Sequence, residues 1–314
     1  MSHLIISKKN EIYLQIQAEP HIYYELRDAF QFDVPNARFS PAYRNKWWDG
    51  IIYLFNVNTK EIYIGLLDRI IQFCDDHKYT YEFKENKYYG LPFEVNENIS
   101  KEGVHDYMNS ITRYTPRDYQ IDAVYQSLKY NRKVILSPTS SGKSLQIYSL
   151  IRYYKDKNEN ILIITPRTSL VSQLYKDFID YGWDAENYCH LIMSGTEKDC
   201  DKPVYISTWQ SLYKMPKSYF QKFGCVIVDE CHEAKAKSLT DILTKLCDAK
   251  YRFGFTGTLD GIEVNKLVLE GLFGPSYKTI RTDELMKKGH IAKLDINVLL
   301  LKHQPKKFEN YEEE

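Results

Sequence analysis

The stretch Val134-Ile-Leu-Ser-Pro-Thr-Ser-Ser-Gly-Lys-Ser144 decides how this chain is read. A short apolar strand runs into a loop of small residues, and a helical pattern follows over 145–154. Successive backbone N–H groups at a helix N-terminus make an anion cradle, from which Lys143 can reach the β and γ phosphates and Ser144 can ligate Mg²⁺. Thr139, Ser140, Ser141 and Gly142 complete the expected phosphate loop of a nucleoside triphosphate site. The usual spacing puts glycine six residues before the lysine, and Ser137 stands there instead. A chance Gly-Lys-Ser at a helix start is the competing explanation; a strand before it and a helix after it favour the functional loop.

Outward from this loop, short apolar strands at 134–137, 161–165, 204–207, 225–229 and 252–256 alternate with helical patterns. That alternation argues for an α/β fold with a parallel sheet covered on both faces. Function in such sheets gathers at the carboxyl ends of the strands. Cys225-Val-Ile-Val-Asp-Glu-Cys-His232 is a strand ending in two carboxylates. On a strand neighbouring the phosphate loop, Asp229 can hold Mg²⁺ while Glu230 polarises the attacking water. An acidic pair before a helix also suits an N-cap, so the pair alone is ambiguous. Two motifs in order, each after its own strand, remove most of that ambiguity. His232 is either an ordinary surface histidine or a link from the nucleotide to a neighbouring loop.

Pro138 to Ser144, Asp229 to His232 and Phe255-Thr-Gly-Thr258 resemble motifs I, II and III of superfamily 2 helicases and translocases. Arg117-Asp-Tyr-Gln120 resembles the adenine-reading Q motif, Thr165-Pro-Arg-Thr-Ser-Leu-Val-Ser-Gln173 motif Ia, and Ser207-Thr-Trp-Gln-Ser-Leu212 the next strand-touching motif. The resemblance runs over 113–292 and implies a RecA-like first motor domain. By that likeness Arg117 and Gln120 read adenine, Thr139 to Ser144 hold the phosphates of ATP, and Ser144 and Asp229 carry Mg²⁺. Lys143, Asp229 and Glu230 are the catalytic set, while His232, Thr256 and Thr258 couple the site to the strand. Pro166, Arg167, Thr208 and Gln210 are the expected DNA contacts of the motor.

Residues 1–85 read as a small α+β unit in the order β-α-β-β-α-β, followed by a polar connector over 86–112 with one short helix. Its unusual piece is Phe39-Ser-Pro-Ala-Tyr-Arg-Asn-Lys-Trp-Trp-Asp-Gly50. Arg38, Arg44 and Lys46 bring positive charge without an intervening acid, and Phe39, Tyr43, Trp47 and Trp48 interleave rings, as in a DNA-contacting loop. The competing reading makes at least one of Trp47 and Trp48 a buried anchor. This stretch and the element order resemble the amino-terminal domain of phage UvsW-type helicases, ATP-dependent DNA enzymes that act on branched DNA in recombination, repair and replication restart. An RNA helicase, a restriction-system motor, or an ATP-gated DNA-binding module without turnover would share the motor motifs.

At 314 residues, with 43% hydrophobic and 27% charged residues, the chain fits about two folded domains and excludes fibrous or disordered classes. Lys plus Arg and Asp plus Glu both number 42, so a nucleic-acid partner rests on local patches rather than net charge. Six scattered cysteines without a CxxC pair fit reduced thiols, and no apolar run approaches a membrane span. A cytoplasmic monomer is expected, with no membrane partner. A second RecA-like domain, which the resemblance requires, is missing from this sequence: a strand over 294–301 begins it and a charged tail follows. The expectation is therefore a fragment that binds ATP, Mg²⁺ and DNA but turns over slowly.

Overall fold

The computed structural model describes residues 3–193, 195–232, 237–257, 263–292 and 300. The amino-terminal unit contains β1 (His3–Lys8), β2 (Tyr13–Gln17), α1 (Pro20–Ala29), β3 (Gln31–Asp33), α2 (Pro41–Arg44), β4 (Ile51–Tyr53), β5 (Glu61–Tyr63), α3 (Leu67–His77) and β6 (Thr80–Lys84). Four strands form a sheet in the order β5-β2-β1-β6, with β1 antiparallel to β2 and parallel to β6. Leu4, Ile6, Leu14 and Ile16 from this sheet pack with Ile22 and Leu26 of α1 and Ile70 and Phe73 of α3. The α+β class holds, but the order gains two strands and the short helix α2. His3–Lys8 alternates more exposed with buried residues as a half-buried strand does. The short strand β4 stays outside this sheet and pairs with β3 in a separate two-stranded ribbon.

The motor unit follows as α4 (Lys101–Ile111), α5 (Asp118–Tyr130), β7 (Arg132–Leu136), α6 (Lys143–Asp156), β8 (Ile161–Thr165), α7 (Thr168–Asp180), α8 (Ala185–Tyr188), β9 (Cys189–Ile192), β10 (Val204–Thr208), α9 (Trp209–Leu212), α10 (Lys217–Phe220), β11 (Cys225–Asp229), α11 (Lys237–Lys245), β12 (Tyr251–Thr256), α12 (Glu263–Phe273), β13 (Ser276–Lys278) and α13 (Thr282–Lys287). Its seven strands form one parallel sheet in the order β13-β7-β12-β11-β8-β10-β9. Every residue of β8, β10 and β11 is buried, because helices cover both faces and leave no solvated side for alternation to record. The five expected strands are present, and β9 and β13 extend the sheet at its two edges. Helix α4, inside the polar connector, is capped by Ser100 Oγ, which accepts from Gly103 N at 3.0 Å. Its Val104 and Met108 are buried in the motor core.

The two units dock closely. Lys8 Nζ sits 2.8 Å from Glu11 Oε1, and Arg132 Nη2 at the start of β7 donates to Glu11 Oε2, with Lys8 and Glu11 both buried. Burial pulls the Lys8 and Arg132 values down, and Glu11 opposes it in both. Nearby, a Cβ on Gly65 would stand 1.9 Å from the Glu270 carbonyl oxygen of α12, so only glycine lets the two backbones approach this closely. Arg69 Nη2 closes the contact with Glu270 Oε2 at 2.8 Å. Among the described residues no helix is long and apolar enough to cross a membrane.

Arg252, on β12, is fully buried and donates to three main-chain oxygens: Leu272 O at 2.8 Å, Leu246 O at 2.9 Å and Leu243 O at 2.9 Å. Burial lowers its pKa to about 9, so it stays charged at neutral pH, and it ties β12 to the ends of α11 and α12. Arg252→Met should therefore cost about 3 kcal/mol or more, since charged hydrogen bonds are lost and three carbonyls are left dry. Urea denaturation of the two proteins measures it; an unshifted midpoint would show that the carbonyls find other donors.

Candidate nucleotide site and nucleic-acid interface

The phosphate loop leaves β7 with Ser137 N donating to Thr256 O of β12 at 2.9 Å. Ser140 and Gly142 then adopt φ values of 63° and 80°, a pair of left-handed residues of the kind that shapes backbone anion nests. Gly142 is required by its φ, and a Cβ there would also lie 2.3 Å from Gln120 Nε2 and push that amide aside. Ser137 takes glycine's usual place with its side chain fully employed. Its buried hydroxyl lies 2.7 Å from Ser141 Oγ and accepts from Gln146 Nε2 at 3.1 Å. Helix α6 starts at Lys143, so the N–H groups of its first turn, which have no partner within the helix, lie at the loop.

Arg117 and Gln120 brace this loop from the start of α5. Arg117 N donates to Gln120 Oε1 at 2.9 Å, and Gln120 Nε2 donates to Ser141 O at 2.9 Å. Tyr119, which the sequence reading passed over, donates its O–H to the same carbonyl at 3.1 Å and accepts from Arg117 Nη1 at 2.8 Å. The signal was present in Arg-Asp-Tyr-Gln, but nothing in a sequence distinguishes a tyrosine that braces a loop from one that fills a core.

The acidic pair leaves the end of β11. Asp229 is 8% exposed and accepts from Glu230 N at 3.0 Å, while Glu230 has φ 50°, a left-handed geometry unusual for a non-glycine residue. Lys143 Nζ forms an ion pair with Glu230 Oε1. His232 Nδ1 lies 3.3 Å from Glu230 Oε2 and 2.9 Å from Thr256 Oγ1. The expectation that the loop and the acids follow adjacent strands is corrected here: β12 lies between β7 and β11. The gap is bridged because the lysine side chain spans it, and because β12 ends in Thr256, which the histidine engages. Burial pushes the Asp229 carboxyl up to about 6, with Lys143 partly opposing it. Thr258 lies outside the described residues.

Pro166 and Arg167 follow β8, Thr208 ends β10, its neighbour in the sheet, and Gln210 lies just beyond in α9. Gln210 Nε2 donates to Pro166 O at 3.4 Å, Thr208 is buried with its hydroxyl 3.2 Å from Ser211 Oγ, and Arg167 is exposed. In the amino-terminal unit Arg38, Arg44, Lys46 and Trp47 line one open concavity with Tyr43, Trp48 and Tyr53. Trp47 is 81% exposed, whereas Trp48 is half-buried and donates Nε1–H to Ile51 O at 2.8 Å. One tryptophan is therefore an anchor and the other is free. Arg38 lies over the Phe39 ring at 4.9 Å.

The donors gathered at the loop are hard oxygens, the Ser144 hydroxyl and the Asp229 carboxylate, beside a lysine and a left-handed backbone turn. Such a set suits Mg²⁺ carried on phosphates. Among the described residues no group of three or more His, Cys, Asp and Glu could hold a metal by itself.

Comparison with known proteins follows the same division. The family model "DNA helicase UvsW, N-terminal" matches residues 6–84, and "Type III restriction enzyme, res subunit" matches residues 113–261. A crystal structure of the UvsW helicase from bacteriophage T4 superimposes with a TM-score of 0.79 and 32% identity, covering 88% of this chain and 99% of that one. The chain belongs to the UvsW family. The ATP-dependent DNA helicase UvsW of Enterobacteria phage T4 is 34% identical over 302 residues, 93% of this chain. The DNA 3'-5' translocase XPB2 of Sulfurisphaera tokodaii is 30% identical over 183 residues, 58% of this chain and 39% of its own length. This member of the UvsW family spans 59% of the length of the phage T4 helicase.

The raised Asp229 value fixes a sign. A carboxyl that keeps its proton to about pH 6 when folded, but loses it near the usual value of roughly 4 when unfolded, makes the nucleotide-free protein less stable as pH rises through that window. Asp229→Asn should raise the melting temperature at pH 7 and flatten the profile between about pH 4 and pH 6. Thermal melts of both proteins across that range check it, and parallel profiles would show that Asp229 is not the group responsible.

Proposed function

We propose that this chain carries the nucleotide-binding motor unit of an ATP-hydrolysing DNA helicase of the UvsW type, which acts on branched DNA in recombination, repair and replication restart. The observation that carries the reading is the ion pair of Lys143 with Glu230, which brings the phosphate loop and the acidic pair together across β12. In this reading residues 139–144 cradle the triphosphate, and Ser144 and Asp229 are the protein's ligands to Mg²⁺. The bound ion supplies charge neutralisation at the β and γ phosphates. Lys143 exchanges Glu230 for phosphate oxygens, and Glu230, still beside His232, is freed to hold the attacking water. Arg117 and Gln120 take the adenine edge, and His232 passes the state of Glu230 to Thr256, with Thr258 next on the same segment.

The nucleic acid is assigned to two surfaces. Pro166, Arg167, Thr208 and Gln210 hold a strand over the carboxyl edge of the motor sheet. Arg38, Arg44 and Lys46 contact phosphates from the amino-terminal unit, with Trp47 available for stacking. Units at 1–85 and 113–292, a monomeric state and the host cytoplasm complete the proposal. The restriction-subunit match over 113–261 favours a second reading, a restriction-system motor, but that match ends within the motor. The match over 6–84 weighs for the branched-DNA enzyme.

DNA-stimulated ATPase measured with four-way DNA and with single-stranded RNA tests the proposal; stimulation by RNA alone would remove it. Lys143→Ala should lose nucleotide binding while keeping the circular dichroism of the folded chain, and undiminished binding would displace the loop from this role. Arg44→Ala with Lys46→Ala should weaken DNA binding and reduce the slope of log K against log salt by about one unit per lost phosphate contact. An unchanged slope in titrations at several salt concentrations would make both residues structural.

A further inference from the structure

Away from the nucleotide loop, at the end of the motor sheet where β7 begins, the two units and the connector enclose a cavity of about 430 Å³. That lies within the roughly 300–1,000 Å³ typical of small-molecule sites. Its apolar wall comes from all three segments: Leu67 and Ile71 of α3, Phe83 of β6, and Phe93 and Val95 of the connector. Phe93 meets the Phe83 ring edge-on at 5.2 Å yet stays 50% exposed, so part of this wall is uncovered. The charged groups of the wall are unevenly paired. Lys8 and Arg132 share Glu11, and Lys250 Nζ sits 2.5 Å from Glu94 Oε2. Lys133, half-buried on β7, has no ion pair or hydrogen bond among the described residues, and its Nζ lies 4.3 Å from the centre of the Tyr130 ring. Burial lowers its pKa, and Asp68 and Glu270 oppose that without coming within ion-pair distance. Asp68, the remaining carboxylate of the wall, is exposed.

We propose that this cavity binds a small organic anion, with its acidic group on Lys133 and its apolar body against Phe83 and Phe93. A half-buried ammonium with no acid beside it lacks the partner that offsets its lost hydration, and an aromatic face returns only part of that loss. A singly charged acidic group supplies the partner, and the rings and aliphatic side chains around it bury the rest of the molecule. A polyanion is disfavoured, because Glu11, Asp68 and Glu94 line the same wall. A neutral apolar molecule leaves Lys133 as it is. Since both units and the connector contribute to the wall, the ligand joins them on the side remote from the nucleotide. The proposal is independent of the nucleotide reading, and none of the motifs read from the sequence includes Lys133.

The test is fluorescence titration of the full chain with anilinonaphthalene sulfonate, an apolar body carrying one sulfonate, beside phenylnaphthylamine, the same body without it. The sulfonate should bind at one site per chain, equally with and without ADP and Mg²⁺. Lys133→Met keeps the aliphatic stem and removes the charge. It should weaken the sulfonate roughly tenfold and leave the neutral amine unchanged. Asp68→Asn, a surface change in the same wall, should tighten the sulfonate roughly threefold. Failure of the sulfonate to bind, or its displacement by ADP, overturns the proposal. So does an unchanged affinity in Lys133→Met, or an equal loss for both probes, which would mean that only packing was disturbed. Unchanged or weaker binding of the sulfonate to Asp68→Asn likewise places it elsewhere.

Discussion

The site depends on an ammonium and a carboxylate that meet over an intervening strand. Lys143 opens α6 at the end of the loop after β7, and Glu230 begins the loop after β11, with β12 between those strands. Neither loop is regular: one contains two left-handed residues and the other carries Glu230 itself at positive φ. Backbone held in such conformations persists only where its surroundings over-determine it. Here they do. Gln120 and Tyr119 hold the Ser141 carbonyl, Ser137 is tied to the end of β12, and His232 stands between Glu230 and Thr256. Three parallel strand ends thus share one polar network, and a change at one is felt at the others.

The charges that hold the molecule together are treated differently from those at the site. Among the described residues Arg252 finds only main-chain oxygens as hydrogen-bond acceptors, and Glu11 is shared by Lys8 and Arg132 in a buried contact between the units. Buried ions are costly unless paired and hydrogen-bonded, and removing one partner leaves an uncompensated charge. These groups lie at the start of β7 and β12, while the nucleotide loop leaves the other end of the same strands. One end of the sheet is fastened and the other is left to do chemistry.

Much of the motor was legible because its signals are local. The five central strands are short, mostly apolar runs between turns, and the loop and acid motifs end two of them. What was not legible depends on contacts distant in sequence. β13 has the composition Ser-Tyr-Lys and no apolar run, and becomes a strand only because β7 offers it an edge. His3–Lys8 is short, and its alternation is visible only when its partners on both sides are known. At the site, the residue types of Lys143, Asp229 and Glu230 announce phosphate chemistry, but the intervening β12 does not follow from the order of motifs along the chain. Tyr119 could not be picked out from 27 tyrosines without coordinates. The exposed Trp47 and anchored Trp48 are adjacent and chemically identical; only the Ile51 carbonyl tells them apart.

The close approach at Gly65 has a consequence for how the molecule comes apart. Where backbone touches backbone and a buried carboxylate serves both cores, neither half can loosen without uncovering polar groups of the other. The two halves then melt as one block rather than as beads on a string. A lesion in the small amino-terminal half would thereby lower the abundance of the ATP-handling half, even when every residue around the nucleotide is intact.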